Sequence, residues 1–173
     1  MNVIIAGATG FIGSELVSFL QGKGNTVIAM VRNPEKASEQ LGAGVRLLTF
    51  DDSDDNLVRA FEGADAIINM TGRPLAPVRW SKSKKKDFYE SRVGVTERIV
   101  SIVEKCETPP SVLVSASAVG YYGDRGDEEI TEESEIGQGY LSGLCDSWEN
   151  AALKAKDFGI RVCTCLLYTS DAA

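Results

Sequence analysis

Ala6-Gly7-Ala8-Thr9-Gly10-Phe11-Ile12-Gly13 follows the apolar run Val3-Ile4-Ile5 and leads into the amphipathic stretch Glu15-Leu16-Val17-Ser18-Phe19-Leu20. The octapeptide therefore reads as the turn from a buried strand into a helix. In such a turn Gly7 permits the tight reversal, Gly10 lets backbone approach a pyrophosphate, and Gly13 lets the helix pack close to the strand. The phosphates then rest on the helix N-terminus. Thr9, Phe11 and Ile12 complete the candidate phosphate-binding turn. The spacing is G-x-x-G-x-x-G rather than the commoner G-x-G-x-x-G, and glycines alone are a weak signal. Context strengthens it, because the strand-like run Thr26-Val27-Ile28-Ala29-Met30-Val31 falls where a first βαβ unit requires it. The competing reading is a plain strand-to-helix turn whose glycines serve packing.

The 173 residues are 43% hydrophobic and 25% charged, the balance of one ordinary globular domain. The formal net charge of −7 argues against a general binder of nucleic acid or anionic membranes. No apolar run approaches the ~18 residues of a transmembrane helix, and the N-terminus lacks the basic flank of a signal peptide. A cytoplasmic protein is expected. Cys106, Cys145, Cys163 and Cys165 show no C-x-x-C spacing and the chain has no His, so free thiols are expected and no metal site.

After the first helix, Gly22 and Gly24 mark its stop, and strand two ends at Val31-Arg32-Asn33-Pro34. An acidic residue usually stands near here to accept ribose hydroxyls from NAD, whereas a cation suits the 2′-phosphate of NADP. Arg32 therefore points to NADP, with NAD possible and a solvated charge as the alternative. Val45-Arg46-Leu47-Leu48-Thr49-Phe50 reads as strand three, closed by Asp51 and Asp52. Ser53 or Asp54 can cap a helix carrying Leu57, Val58 and Phe61 that Gly63 stops. Ala64 to Met70 is a buried strand reaching Thr71-Gly72, where backbone can again approach a ligand.

Arg73 to Trp80 is rich in Pro and cations, and a long helical pattern follows through Phe88, Val95, Ile99, Ile102 and Val103. The run Ser81 to Lys86 near its start opposes the helix dipole, so its lysines are either solvated or facing an anion. Pro109-Pro110 ends the helix. Ser111 to Val114 then begins strand five, which runs into Ser115-Ala116-Ser117-Ala118-Val119-Gly120-Tyr121-Tyr122-Gly123. An acidic loop from Asp124 to Glu135, a helix from about Tyr140 to Phe158 and a last strand Ile160 to Cys165 complete the pattern. Alternating β and α elements predict an α/β fold: a Rossmann-like, doubly wound parallel sheet of order 3-2-1-4-5-6 with helices on both faces.

These residues resemble the short-chain dehydrogenase/reductase superfamily, in its extended NAD-dependent epimerase/dehydratase branch. Asn69 to Gly72, Arg79-Trp80, Ser91-Arg92 with Thr96, Ser115 to Gly123, Thr131 to Ser134 and Trp148-Glu149 are similar to the subgroup called epimerase family proteins. Some bacterial members of that subgroup carry the label cell division inhibitor, and plant relatives are linked to plastid division. The resemblance implies an NADP-dependent oxidoreductase or epimerase acting on a nucleotide-sugar or similar polar small molecule. The alternative it implies is a non-catalytic nucleotide-binding regulatory protein.

Ser117 matches the branch's serine that polarises a substrate carbonyl or hydroxyl. The branch also has a Tyr as acid/base and, four residues later, a Lys that binds the nicotinamide ribose and lowers the Tyr pKa. Here that pair is absent: alignment through Glu149 puts Leu141 at the Tyr position and Cys145 at the Lys position. An unassisted Tyr, with a pKa near 10, is only about 0.1% phenolate at neutral pH. Arg92 stands where the branch has an Asn. Tyr121 or Tyr122, on the loop after Ser117, is the candidate proton donor, and Tyr121 is taken as catalytic beside Ser117. For the cofactor the expected assignments are Gly7, Thr9, Gly10, Phe11, Ile12 and Gly13 to pyrophosphate, Arg32 to the 2′-phosphate, Asp51 to the adenine edge, and Thr71 with Gly72 to the inner ribose. Relatives continue past strand six with further substrate-binding structure, so residues 1–165 are expected to be a truncated NAD(P)-binding domain and 166–173 a non-native tail. The oligomeric state is left open.

Overall fold

The computed structural model describes residues 1–75 and 79–167. Strands β1 (Asn2–Ala6), β2 (Thr26–Met30), β3 (Arg46–Leu48), β4 (Ala66–Asn69), β5 (Val112–Ala118) and β6 (Arg161–Leu167) form one sheet in the order β3-β2-β1-β4-β5-β6. Each neighbouring pair is parallel. The expected fold class and strand order are both found.

The apolar runs of the central strands are continuous because both faces of the sheet are covered. Val3 and Ile5 of β1, with Val27 and Ala29 of β2, pack under helices α1 (Phe11–Gly22) and α2 (Pro34–Leu41) through Val17, Leu20 and Ala37. Ile4, Ala6, Ile28 and Met30 point the other way, onto α3 (Asp54–Glu62), α5 (Val95–Val103) and α6 (Tyr140–Leu153), meeting Leu57, Phe61, Ile99, Ile102 and Ala152. Phe88, at the end of α4 (Lys82–Tyr89), joins Val93, Ala116, Leu144 and Trp148 in a third cluster beyond the end of β5.

Local chemistry sets the ends of these elements. Ser53 Oγ accepts from Asn56 N and Gly63 closes α3, so Ser53 rather than Asp54 is the cap. Helix α2 is an addition to the sequence reading, which took Asn33-Pro34 only as a strand end. Asn33 Oδ1 accepts from Lys36 N at 3.0 Å and Pro34 occupies the first turn, a strong start signal. Strand β3 is three residues rather than six, because Asp52 Oδ2 takes Thr49 N at 2.8 Å and turns the chain away from the ladder. The long helical pattern is α4 and α5 joined through a π-helical turn, Glu90–Gly94. Helix α6 gives way to a 3₁₀ turn, Lys154–Phe158. Strand β6 runs two residues past the expected end at Cys165, since Leu166 and Leu167 pair with Ser117 and Ala118. Residues 168–173 of the expected tail, and 76–78 of the Pro-rich stretch, lie outside the described residues.

Candidate functional site

Because the strands are parallel, the carboxyl ends of β1 to β5 open on one edge, and the order places the topological switch between β1 and β4, where open α/β sheets bind ligands. On one side of the β1 turn stand Arg32, after β2, and Asp51, after β3, both exposed. On the other side stand Thr71-Gly72 after β4, then Ser117 and Tyr121 at the end of β5. The sequence-predicted residues therefore stand along one edge of the sheet.

The glycine turn is tightly built. Gly7 has φ +83°, and a Cβ there would lie 2.6 Å from Met70 O; a Cβ on Gly13 would lie 2.2 Å from Gly7 O. Gly10 N donates to Gly7 O at 3.0 Å, and Gly10 is the N-cap of α1 without a side-chain cap. The amides of Phe11, Ile12 and Gly13 begin the helix, and the first bond of the ladder runs from Ser14 N to Gly10 O. Those amides, at the positive end of the helix dipole, are a ready seat for phosphate. Phe11, 84% exposed, and Ile12 stand out of the fold beside this seat. Thr9 O is held by Gln40 Nε2 at 3.0 Å, tying the turn to α2. The residues present fit a dinucleotide.

Around β5 the arrangement departs from expectation. Ser117 is 1% exposed and its Oγ donates to Glu149 Oε1 at 2.5 Å. The hydroxyl expected to face a substrate is thus engaged with α6. Leu141 and Cys145 do face the end of β5, where a Cβ on Gly120 would be 3.6 Å from Leu141 Cβ and 3.9 Å from Cys145 Sγ. The positions of the absent Tyr and Lys are therefore occupied by a hydrocarbon and a thiol. Burial pushes that thiol up in pKa, against the pull of the Arg92 charge.

The tyrosines divide by environment. Tyr140 Oη donates to Lys85 O at 2.8 Å while Lys85 Nζ sits 4.6 Å over its ring. One lysine of the Ser81 to Lys86 run is thus packed on an aromatic ring, and Lys84 lies 3.5 Å from Asp87. Tyr122 is buried, which raises its pKa, as do the nearby Glu132 and Glu149 carboxylates. Tyr121 stacks edge-on against it at 5.2 Å and is half-buried. A cavity of about 500 Å³, within the range of small-molecule sites, lies beside them, lined by Trp80, Val119, Gly120, Asp124, Tyr140 and Leu141.

Two groups that the resemblance singled out without a role of their own, Thr96 with its partners and Arg92, acquire one in the fold. Thr96 Oγ1 accepts from Asn69 Nδ2 at 2.8 Å and from Trp148 Nε1 at 3.1 Å, and donates to Arg92 O at 2.7 Å. Asn69 Oδ1 in turn accepts from Thr71 Oγ1 at 2.7 Å, so this buried network fixes the Thr71-Gly72 loop. The second is the Arg92 guanidinium, whose Cζ would lie 3.0 Å from a Cβ on Gly72. The cluster of polar side chains at an otherwise apolar helix face was the available signal. Among the described residues there is no group of acidic, Cys or His side chains fit to hold a metal ion.

Residues 3–147 match the NAD dependent epimerase/dehydratase family. Over 161 residues the chain is 36% identical to the Arabidopsis thaliana chloroplastic epimerase family protein SDR39U1 homologue, covering 90% of this chain and 45% of that one. The crystal structure of human epimerase family protein SDR39U1 with NADPH superposes with a TM-score of 0.73 at 29% identity, covering 88% of this chain and 48% of that one. A nucleoside-diphosphate sugar epimerase from Corynebacterium glutamicum superposes with a TM-score of 0.75 at 33% identity, over 96% of this chain and 33% of that one. The chain spans about half the length of the curated relatives it matches.

Proposed function

The chain belongs to the NAD dependent epimerase/dehydratase family, and on that premise we propose that it binds NADP in preference to NAD and works as an oxidoreductase or epimerase on a nucleotide-sugar or similarly polar small molecule. The observation that carries this reading is the shared carboxyl edge, where a glycine turn with no side chain in the way sits between a cation at Arg32 and the Thr71-Gly72 loop. Gly7, Thr9, Gly10, Phe11, Ile12 and Gly13 hold the pyrophosphate, Arg32 the 2′-phosphate, Asp51 the adenine edge, and Thr71 and Gly72 the inner ribose. The relatives support the two halves of the proposal, one by its NADPH and the other by its description as a sugar epimerase. A bound nicotinamide supplies hydride gain or loss. The chain's part is to orient the substrate and to move a proton, for which Ser117 must leave Glu149 and Tyr121 carries the exchangeable hydrogen. The four free cysteines suit a reducing compartment such as the cytoplasm, and no described helix is long and apolar enough to cross a membrane.

Titration with NADPH and NADH tests the cofactor. Arg32→Glu should weaken NADPH by about tenfold or more and leave NADH unchanged or tighter; unchanged NADPH affinity overturns Arg32's role. One observation favours a second reading, a non-catalytic nucleotide-binding regulator linked to cell or plastid division: Leu141 and Cys145 stand against Gly120 where acid/base chemistry is expected. Incubation of a full-length relative with NADPH and a panel of carbonyl compounds and sugar nucleotides separates the two. Turnover abolished by Ser117→Ala supports the enzyme, and tight binding without turnover supports the regulator.

A further inference from the structure

Among the described residues, Arg92 Nη1 is buried and lacks a hydrogen-bond partner. The rest of the side chain is held firmly by neutral groups: Nη2 donates to Arg73 O at 3.0 Å, and Cζ lies 5.4 Å over the Trp148 ring. No described carboxylate pairs with it. A partly buried guanidinium with no counter-ion costs free energy, and burial pulls its pKa down from the usual arginine range. Its place is specific. Arg92 lies in the π-helical turn Glu90–Gly94, a feature concentrated at functional sites, and its backbone carbonyl is anchored by Thr96. The guanidinium lies against Gly72 at the end of β4, and its charge acts on Cys145 and Tyr140.

We propose that Arg92 is the fixed cation of the nicotinamide side of the site, supplied from the α4–α5 turn in place of the lysine that Cys145 replaces on α6, its uncompensated charge serving an oxygen of the nicotinamide nucleoside. The proposal rests on the cofactor-binding reading above. Gly72 leaves room for the guanidinium, since a Cβ there would meet Cζ, Nη2 and Nε at 3.0 to 3.3 Å. A guanidinium, unlike an ammonium, can stay charged while spreading its donors between Arg73 O and a ligand. The role is positioning.

The test uses the 173-residue chain with two probes, NADPH and adenosine 2′,5′-bisphosphate, which lacks the nicotinamide nucleoside. Arg92→Met should weaken NADPH by about tenfold or more and leave the bisphosphate unchanged. Without ligand its thermal midpoint should be equal or higher, because an uncompensated buried charge has gone. Arg92→Lys should recover part of the NADPH affinity. Unchanged NADPH affinity, or an equal loss for both probes with a lower midpoint, overturns the proposal. A wild-type chain that binds neither probe instead refutes the cofactor reading, and this assignment falls with it.

Discussion

The three glycines of the β1–α1 turn separate folding from binding, and alanine at each should fail differently. At Gly13 a Cβ would stand 2.2 Å from Gly7 O and 2.9 Å from Ala8 Cα and Gly7 C, all backbone atoms that no rotamer change can move aside. Overpacking of this kind costs about 1–3 kcal/mol and sometimes more, and the depth of this clash puts Gly13→Ala at roughly 3 kcal/mol or above. Gly7→Ala adds a left-handed φ of +83° to a 2.6 Å contact with Met70 O, so roughly 2–5 kcal/mol is expected. Gly10 is different: its φ of −78° and ψ of 173° suit any residue. A Cβ there would meet only Gly7 O, at 3.2 Å, for less than about 1 kcal/mol.

For a domain of this size each kcal/mol moves the thermal midpoint by roughly 2–4 °C. Gly13→Ala should therefore lower it by about 6–12 °C and Gly10→Ala by less than about 4 °C. The order should reverse in effect on the ligand: Gly10→Ala keeps the fold but puts a methyl group on the phosphate seat, weakening NADPH by about tenfold or more. Circular dichroism melts and fluorescence titration of each purified variant give both quantities. A Gly10→Ala variant that melts as low as Gly13→Ala, or binds NADPH as the unaltered chain does, would refute this division of roles.

Thr96→Val should cost roughly 2–6 kcal/mol in urea unfolding, because Asn69 Nδ2 and Trp148 Nε1 would each lose a buried acceptor at about 1–3 kcal/mol apiece; a loss below about 1 kcal/mol would show that water replaces the hydroxyl. Asp54 has its pKa lowered from 3.8 to about 2, chiefly by hydrogen bonds from Lys105 and then Arg98. A carboxylate held down in the folded state stabilises it above the unfolded pKa, and that contribution disappears as pH falls from about 4 to about 2. Urea midpoints taken at pH 5 and pH 2 should differ less in Asp54→Asn than in the unaltered chain, and equal differences would remove Asp54 from the acid response.

The sheet and its order were legible because each buried strand is an apolar run bounded by a turn residue, and the right-handed crossover rule leaves few ways to connect such runs. The glycine turn was legible for the same reason: its chemistry is local. Helix α2 carries a readable cap in Asn33-Pro34, a signal that equally marks the end of a strand. The π-helical turn at Glu90–Gly94 was not legible, since an inserted residue shifts the helical phase without changing composition. That shift decides which side of the helix Arg92 and Thr96 occupy. Ser117 was read from its position at the strand end, but its environment depends on Glu149, 32 residues later, and such a contact is written in tertiary packing rather than in spacing.

The two halves of the crevice consequently differ in kind. The glycine turn keeps an open helix N-terminus with Arg32 and Asp51 exposed beside it, whereas α6 presents Leu141 and Cys145 against Gly120 and commits Glu149 to Ser117. On the enzyme reading proposed above, proton transfer at this crevice falls to the β5 loop. Tyr140 is spoken for by Lys85 O, and Tyr89 lies on α4, outside the β5 loop. Tyr122 is buried with its pKa raised, first by burial and then by acidic neighbours, so its phenolate is disfavoured further. Among the described tyrosines that leaves Tyr121, a half-buried ring packed on Tyr122 whose hydroxyl carries the hydrogen to be given. Giving that hydrogen serves the reductive direction, in which a substrate oxygen gains a proton as its carbon gains hydride. Tyr121→Phe should therefore slow carbonyl reduction by NADPH while leaving NADPH affinity unchanged, and equal turnover by the variant would remove Tyr121 from the chemistry.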